Sequence, residues 1–189
     1  MRAIAAGLAL LLIAPAPALA KASVSKPSFA QRVQRVEDEL AIRRILIDYH
    51  HYLDAHDAEG YANLFARDGA WVNGGVPHKG HDEIVKLLRG IWGTPRPGDP
   101  DPGTILYTHT TNMRIDLHGD HATAWSRHLM VKRGPDGKPF PNLAGRYEDA
   151  LIRENGVWKI QRRTDFPVMP TQEEWQKIMS SRMPAQTRP

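Results

Sequence analysis

The feature that most constrains the fold is a set of four long alternating segments in the second half of the chain. They are residues 105–117, 122–132, 143–153 and 157–166. Apolar and polar residues alternating with a period of two indicate strands that bury one face. Gly119-Asp120 separates the first pair, and Asn155-Gly156, a strong hairpin signal, separates the second. The sequence therefore predicts two long hairpins in an antiparallel sheet.

The first half of the chain shows a helical period instead. Apolar residues recur at three- and four-residue spacings over residues 28–56, which predicts one long helix with the acidic residues 37–39 toward solvent. Shorter helices are predicted after Asp57, Gly80 and Thr171. Helices followed by a run of antiparallel strands predict an α+β fold.

The N-terminal residues predict a secretory signal. Arg2 precedes an apolar stretch at residues 5–13, and Ala18-Leu19-Ala20 matches a cleavage site between small residues. The stretch is too short to favour a membrane span, although an uncleaved anchor is the alternative. We therefore expect a secreted or periplasmic protein, cleaved near Ala20, with no stable membrane insertion. The predicted segments are a signal peptide (1–20), a linker (21–30), one domain (31–170) and a C-terminal helix with a loose tail (171–189).

Composition removes several classes of function. The chain has no cysteine, which excludes thiol catalysis and thiolate metal sites. Without Arg2 the predicted mature chain has 24 basic and 21 acidic residues, a dispersed net charge of +3 that does not indicate nucleic-acid binding. Metal, phosphate-loop and dinucleotide motifs are also missing from the sequence, so we expect no metal and no cofactor.

Three side chains in the predicted elements suit acid/base chemistry. Tyr49 and Asp54 lie near the end of the long helix, where a carboxylate opposes the helix dipole and gains proton affinity. His109 lies in the first long strand, on a largely apolar face. A phenol, a carboxylate and an imidazole can move protons without a metal, a nucleotide or a thiol. We predict these three residues as catalytic. The alternative is a purely structural role in the core for Tyr49 and His109, and a solvated helix end for Asp54.

The register of the first hairpin adds His128 to this set. With Gly119-Asp120 as the turn, His109 is predicted opposite Met130 and Thr111 opposite His128, and opposed residues share a face. His128 is then a fourth candidate catalytic residue. A shift of one residue would reverse these faces.

The register of the second hairpin places Asp149 opposite Arg162 on the inward face. This pair is either a structural ion pair or a way of holding a substrate oxygen through Arg162. The complete predicted substrate-binding set is Tyr52, Trp71, Met113, Tyr147 and Arg162.

Two surface features carry further expectations. The outward face of the first hairpin exposes Trp125 and Leu129, which predicts a homodimer or homo-oligomer formed through the sheet. Residues 93–103 contain four prolines and form a long loop, either a lid or a plain surface excursion.

Several segments resemble the SnoaL-like branch of the nuclear transport factor 2-like superfamily. Examples are Leu-Phe-Ala-Arg-Asp-Gly-Ala-Trp at 64–71, His-Thr-Thr-Asn at 109–112, Gly-Arg-Tyr-Glu-Asp at 145–149 and Asn-Gly-Val-Trp-Lys-Ile at 155–160. The resemblance covers about residues 36–164. It implies a cone, in which a strongly curved antiparallel sheet surrounds a pocket that the N-terminal helices close, as in a cystatin-like α+β barrel. It also implies dimers through the open face of the sheet.

The same branch contains acid/base enzymes, including scytalone dehydratase and bile acid dehydratase, and Tyr49, Asp54 and His109 match positions that they use. The resemblance thus implies a cofactor-independent lyase, such as a dehydratase, or an isomerase. Its substrate would be a small, mostly apolar hydroxy-carbonyl compound. The alternative is a non-catalytic module that binds a small apolar molecule in the same pocket, since a fold does not by itself fix a function.

Overall fold

The computed structural model describes residues 26–93 and 96–182, so the predicted signal peptide lies outside the described residues. The helices are α1 (Phe29–Asp54), α2 (Ala58–Ala62), α3 (Gly80–Trp92) and α4 (Gln172–Arg182), with a 3₁₀ turn at Pro102–Thr104. Ser28 caps α1 in a reciprocal capping box with Gln31, which fixes where the helix begins. In the described ranges no helix is both long and apolar enough to cross a membrane.

Six strands form one mixed sheet. They are β1 (Phe65–Asn73), β2 (Val76–Lys79), β3 (Leu106–His118), β4 (His121–Arg133), β5 (Pro139–Glu154) and β6 (Val157–Met169). Their order is β2-β1-β6-β5-β4-β3. All neighbours are antiparallel except β1 and β6, which run parallel. The α+β class and the two long hairpins are confirmed, and the short N-terminal hairpin β1–β2 extends the single short strand predicted there.

A β-bulge in β3 changes the face that the outer half of this strand presents. The predicted register holds from His118↔His121 to Arg114↔Trp125, but beyond the bulge Thr110, not Thr111, is opposite His128. Asn112 adopts a positive φ of 53° there and adds one residue to β3. The prediction that His109 shares a face with His128 is therefore wrong.

A second bulge, in β6, also adds one residue and changes the face that the following residues present. Leu151↔Ile160 has the predicted register, but the next pairs are Ala150↔Arg162 and Asp149↔Arg163. Arg163 is consequently buried and Arg162 exposed. The predicted pair of Asp149 with Arg162 is wrong by one residue, and bulges of this kind bend the sheet around the helices.

The core lies between the sheet and α1, α2 and α3. On α1 the buried residues are Asp38, Ile42, Leu46, Tyr49, His50 and Leu53, which follow the helical period. On β4 the inward face carries Ala122, Ala124, Ser126 and His128, all buried, as the sequence predicted. Asp38, predicted to face solvent, is instead buried, because Arg153 and Trp158 bind its carboxylate.

Candidate functional site

Three tyrosines surround one arginine in the middle of the molecule. The Arg163 guanidinium lies 3.8 Å from the ring centroid of Tyr49 and 4.1 Å from that of Tyr147. The Tyr61 hydroxyl donates a hydrogen bond to the Tyr49 hydroxyl. All four side chains are buried, and burial raises the pKa of each phenol. We call these four residues the interior cluster.

Asp149 balances the charge of Arg163. Its carboxylate contacts Nε at 2.9 Å and Nη2 at 3.2 Å, and both side chains are fully buried. Burial raises the pKa of Asp149 to about 6, with the positive charge of Arg163 acting against the rise. Arg163 Nη1 is buried and has no hydrogen-bond partner among the described residues, so it can still bind an oxygen acceptor.

His50 joins the interior cluster from α1. Its Nδ1 lies 2.9 Å from the Leu46 carbonyl oxygen, which can only accept, so Nδ1 carries the proton. Nε2 is then the acceptor for the Thr110 hydroxyl at 3.1 Å. Burial, with the nearby charge of Arg163, lowers the pKa of His50 to about 3 and keeps the ring neutral.

His128 enters the cone from β4. Its ring stacks on Tyr147 with centroids 4.2 Å apart, and its Nε2 lies 3.0 Å from Asp165 Oδ1 on β6. The side chain of His128 is completely buried and that of Asp165 is 10% exposed. His128 Nδ1 is buried and has no partner among the described residues. The structure thus brings a histidine–carboxylate pair next to the interior cluster.

Asp54, the last residue of α1, faces β3. Its Oδ2 accepts a hydrogen bond of 3.0 Å from the Thr108 backbone N–H, while Oδ1 is buried without a partner in the described ranges. Burial raises the pKa of this half-buried carboxyl, opposed by the Thr108 hydrogen bonds. The residue of β3 that meets Asp54 is therefore a threonine and not the predicted His109.

Of the other predicted residues, some lie in or beside the core and the rest lie on the outer face of the sheet. Trp71 is buried, pairs with Arg163 across β1 and β6, and keeps its indole N–H without a partner among the described residues. Tyr52 and Met113 are half-buried at the edge of the core. His109 is exposed and contacts Tyr107 ring to ring at 5.0 Å. Arg162 lines a hollow of about 380 Å³ on the outer face of the sheet.

The structure therefore brings together Tyr49, Tyr147 and His128 and places Trp71 beside them. It leaves His109 and Arg162 on the opposite face of the sheet, because each lies beyond a bulge that the alternating pattern does not reveal.

Sequence reasoning missed His50, Tyr61, Arg163 and Asp165. His50 falls on the buried stripe of α1, four residues after Leu46, so the helical period was a usable signal.

No group of three or more His, Asp or Glu side chains suited to a metal ion occurs within residues 26–93 and 96–182.

The fold and its buried polar centre define an α+β protein built around a cone. Residues 34–164 match the family model of the SnoaL-like domain, and the chain belongs to that family. The predicted family is confirmed. No curated protein matches the chain.

Solved structures agree with this assignment. A scytalone dehydratase-like protein from Novosphingobium aromaticivorans is 26% identical, covers 73% of this chain and 89% of its own, and superposes with a TM-score of 0.58. The dehydrochlorinase LinA is 19% identical, with coverages of 72% and 90% and a TM-score of 0.60. A Mycobacterium tuberculosis protein of unknown function is 22% identical, with coverages of 72% and 75% and a TM-score of 0.62. A nuclear transport factor 2-like protein and a second protein, both with a cystatin-like fold, are among the similar structures.

Proposed function

We propose that this protein is a cofactor-independent acid/base lyase or isomerase that acts on a small, mostly apolar hydroxy-carbonyl compound inside the cone. The observation that carries the proposal is the burial of an imidazole with a free nitrogen, His128, against the same ring that contacts Tyr49 and Arg163. An imidazole, paired phenols and a fixed cation in a water-poor site are suited to forming and stabilising an enolate.

Each group has a distinct task in the proposed reaction. His128 takes a proton alpha to the substrate carbonyl. Arg163 Nη1 and the Tyr49–Tyr61 hydroxyl pair stabilise the enolate oxygen that develops. Asp54, whose pKa is raised by burial, donates a proton to the departing hydroxyl, so that water leaves as the C–O bond breaks. In an isomerase, His128 returns the proton to a different carbon instead.

The test is a panel of hydroxy-ketones and hydroxy-acids monitored for the ultraviolet absorbance of the conjugated product. We expect His128→Gln and Asp54→Asn each to lower turnover on the order of 10²- to 10⁴-fold, the usual contribution of one acid/base group. His118→Gln, at the exposed end of β3, is the matched control. His109→Gln decides between the two histidines, and we expect it to leave turnover unchanged. Full activity in both the His128 and Asp54 variants would reject the proposal.

One observation favours the alternative of a non-catalytic binding module. Asp54 meets Thr108 and not the imidazole of His109 that was predicted beside it, and the rings of the interior cluster pack closely against one another. Mass spectrometry of compounds that co-purify with the protein separates the two functions. A tightly held apolar molecule that is released unchanged, with no turnover of the panel, would establish the binding module.

We also propose a homodimer through the outer face of the sheet and export after cleavage near Ala20. Trp125 and the 37%-exposed Leu129 lie on that face. Light scattering of Trp125→Glu tests the dimer, which should dissociate, and an unchanged dimer would refute this interface. N-terminal sequencing of the secreted or periplasmic fraction tests the export.

A further inference from the structure

The contact between His128 and Asp165 crosses a whole strand. His128 lies on β4 and Asp165 on β6, and β5 runs between them. Neighbouring strands are about 4.8 Å apart, so the two backbones are separated by roughly twice that distance. The imidazole reaches diagonally from the position of β5 opposite His128 to Asp165, which pairs with Tyr147. A 3.0 Å contact between the two side chains therefore requires that β5 present no side chain opposite His128.

Gly145 supplies that gap. It is the residue of β5 paired with His128. A Cβ atom built there would lie 2.8 Å from the Phe166 carbonyl oxygen and would also clash with His128 Nε2. Any side chain at this position would push the imidazole away from Asp165. The glycine is thus a structural condition for the histidine–carboxylate pair.

The pair determines which imidazole nitrogen can accept a proton. An ionised carboxylate only accepts hydrogen bonds, so the nitrogen that faces Asp165, Nε2, carries the hydrogen. Nδ1 then holds the free lone pair. It is buried and without a partner among the described residues, and stacking on Tyr147 fixes the plane of the ring.

We propose that Asp165 is a positioning residue that makes His128 Nδ1 the proton-accepting atom of the cone, through the gap at Gly145. This inference rests on the proposed acid/base function. It adds a residue that orients the base and stabilises the imidazolium that forms when the base takes its proton. A buried pair that only supports the fold would contribute to stability but not to proton transfer.

Nuclear magnetic resonance of protein labelled with ¹⁵N-histidine tests the geometry without a substrate. The sequence has nine histidines, and a His128→Gln variant assigns the signal of His128. We expect a proton on Nε2 that exchanges slowly with water and an unprotonated Nδ1. The protected proton should disappear in Asp165→Ala and persist in Asp116→Ala, an exposed carboxylate on β3. A proton on Nδ1, or an unchanged signal in Asp165→Ala, would overturn the inference.

The ring opening of 5-nitrobenzisoxazole tests the role of the base with a defined probe. A base removes the proton on carbon 3, the electrons of that bond form a nitrile, and the N–O bond breaks to give a coloured phenolate. We expect Asp165→Asn to lower kcat at least tenfold with little change in KM, and His128→Gln to lower it further.

Failure of the positioning role and failure of the proposed function would give different results in the ring-opening assay and in the panel of hydroxy-carbonyl compounds. Equal rates for wild type and Asp165→Asn would refute the positioning role, and a wild type no faster than His128→Gln would refute the base. Turnover of the probe without turnover of any hydroxy-carbonyl compound would instead refute the proposed substrate class alone.

Discussion

Two ionic groups, one around Asp38 and one around Arg163, differ in how many of their buried polar atoms have a hydrogen-bond partner. Near the β5–β6 hairpin, the Asp38 carboxylate binds Arg153 at 2.6 Å and Trp158 Nε1 at 3.1 Å, and Arg153 also binds Asp120 at 2.9 Å. In the interior cluster Arg163 binds Asp149 but leaves Nη1 without a partner among the described residues. Native proteins rarely leave buried polar atoms unpaired without a reason. The first group therefore fits a role in holding the fold, and the second fits a role in binding.

The pKa values of the Asp38 and Asp149 carboxyls are shifted in opposite directions. Burial acts to raise the pKa of Asp38, but hydrogen bonds from Arg153, Trp158 and Gln34 outweigh it, and the pKa is lowered. Asp149 has one ionic partner, and burial raises its pKa to about 6. The Asp149 side chain is fully buried, whereas that of Asp38 is 11% exposed and has more hydrogen-bond partners, and both differences separate the two pKa values.

The strongest test of this comparison is to remove Asp149. Asp149→Leu leaves the Arg163 charge buried and unpaired, and we expect it to lower the free energy of unfolding in urea by about 3–5 kcal/mol. The double variant Asp149→Leu/Arg163→Met removes both charges and should recover most of that loss. A single variant as stable as the double would contradict this account of the pair.

Gly145→Ala tests the packing around His128. The added methyl group meets the Phe166 carbonyl oxygen and the imidazole, so we expect a loss of about 1–3 kcal/mol in unfolding free energy. Gly90→Ala is the matched control, since Gly90 lies in α3 with nothing within 4 Å of an added Cβ. The control should gain about 0.4–1 kcal/mol. Equal effects in the two variants would show that β4 and β5 have room for a side chain at the crossing.

Asp38→Ala should have a smaller effect than Asp149→Leu. Arg153 keeps Asp120 as a partner and is 21% exposed, so water can replace part of what is lost. We expect a decrease of about 1–2 kcal/mol in the free energy of unfolding. A decrease as large as that of Asp149→Leu would erase the distinction between the two ionic groups.

The smallest expected effect is a dependence on pH through His50. Its pKa is about 3 in the folded protein and about 6.5 when unfolded, so the unfolded chain binds more protons between these values and stability falls as pH falls. We expect His50 to account for a loss of roughly 1 kcal/mol between pH 7 and pH 5.5. Urea titrations of His50→Gln should lack this component, and His51→Gln, at the exposed neighbouring position, should keep it. Identical pH profiles in both variants would argue against a buried neutral His50.

Much of the fold could be predicted because its signals are local. The helical period predicted α1. Asn155-Gly156 predicted the turn between β5 and β6, where both residues adopt positive φ. The residues of the candidate site were harder to predict. Alternation continues on both sides of Asn112 and of Gln161, so nothing in the pattern shows that one residue has been added. The inward residues of β4 from Ala122 to His128, a segment with no such insertion, were predicted correctly.

The bulge at Asn112 shifts the register of β3 by one residue and so exchanges the faces of the residues on its far side. Thr108 and Thr110 reach toward α1 only because one extra residue separates them from the regular half of β3 near the hairpin. Loss of that single residue would turn His109 toward Asp54 without any substitution. A one-residue insertion or deletion in β3 therefore changes which face every residue beyond it presents, whereas a point mutation changes one side chain.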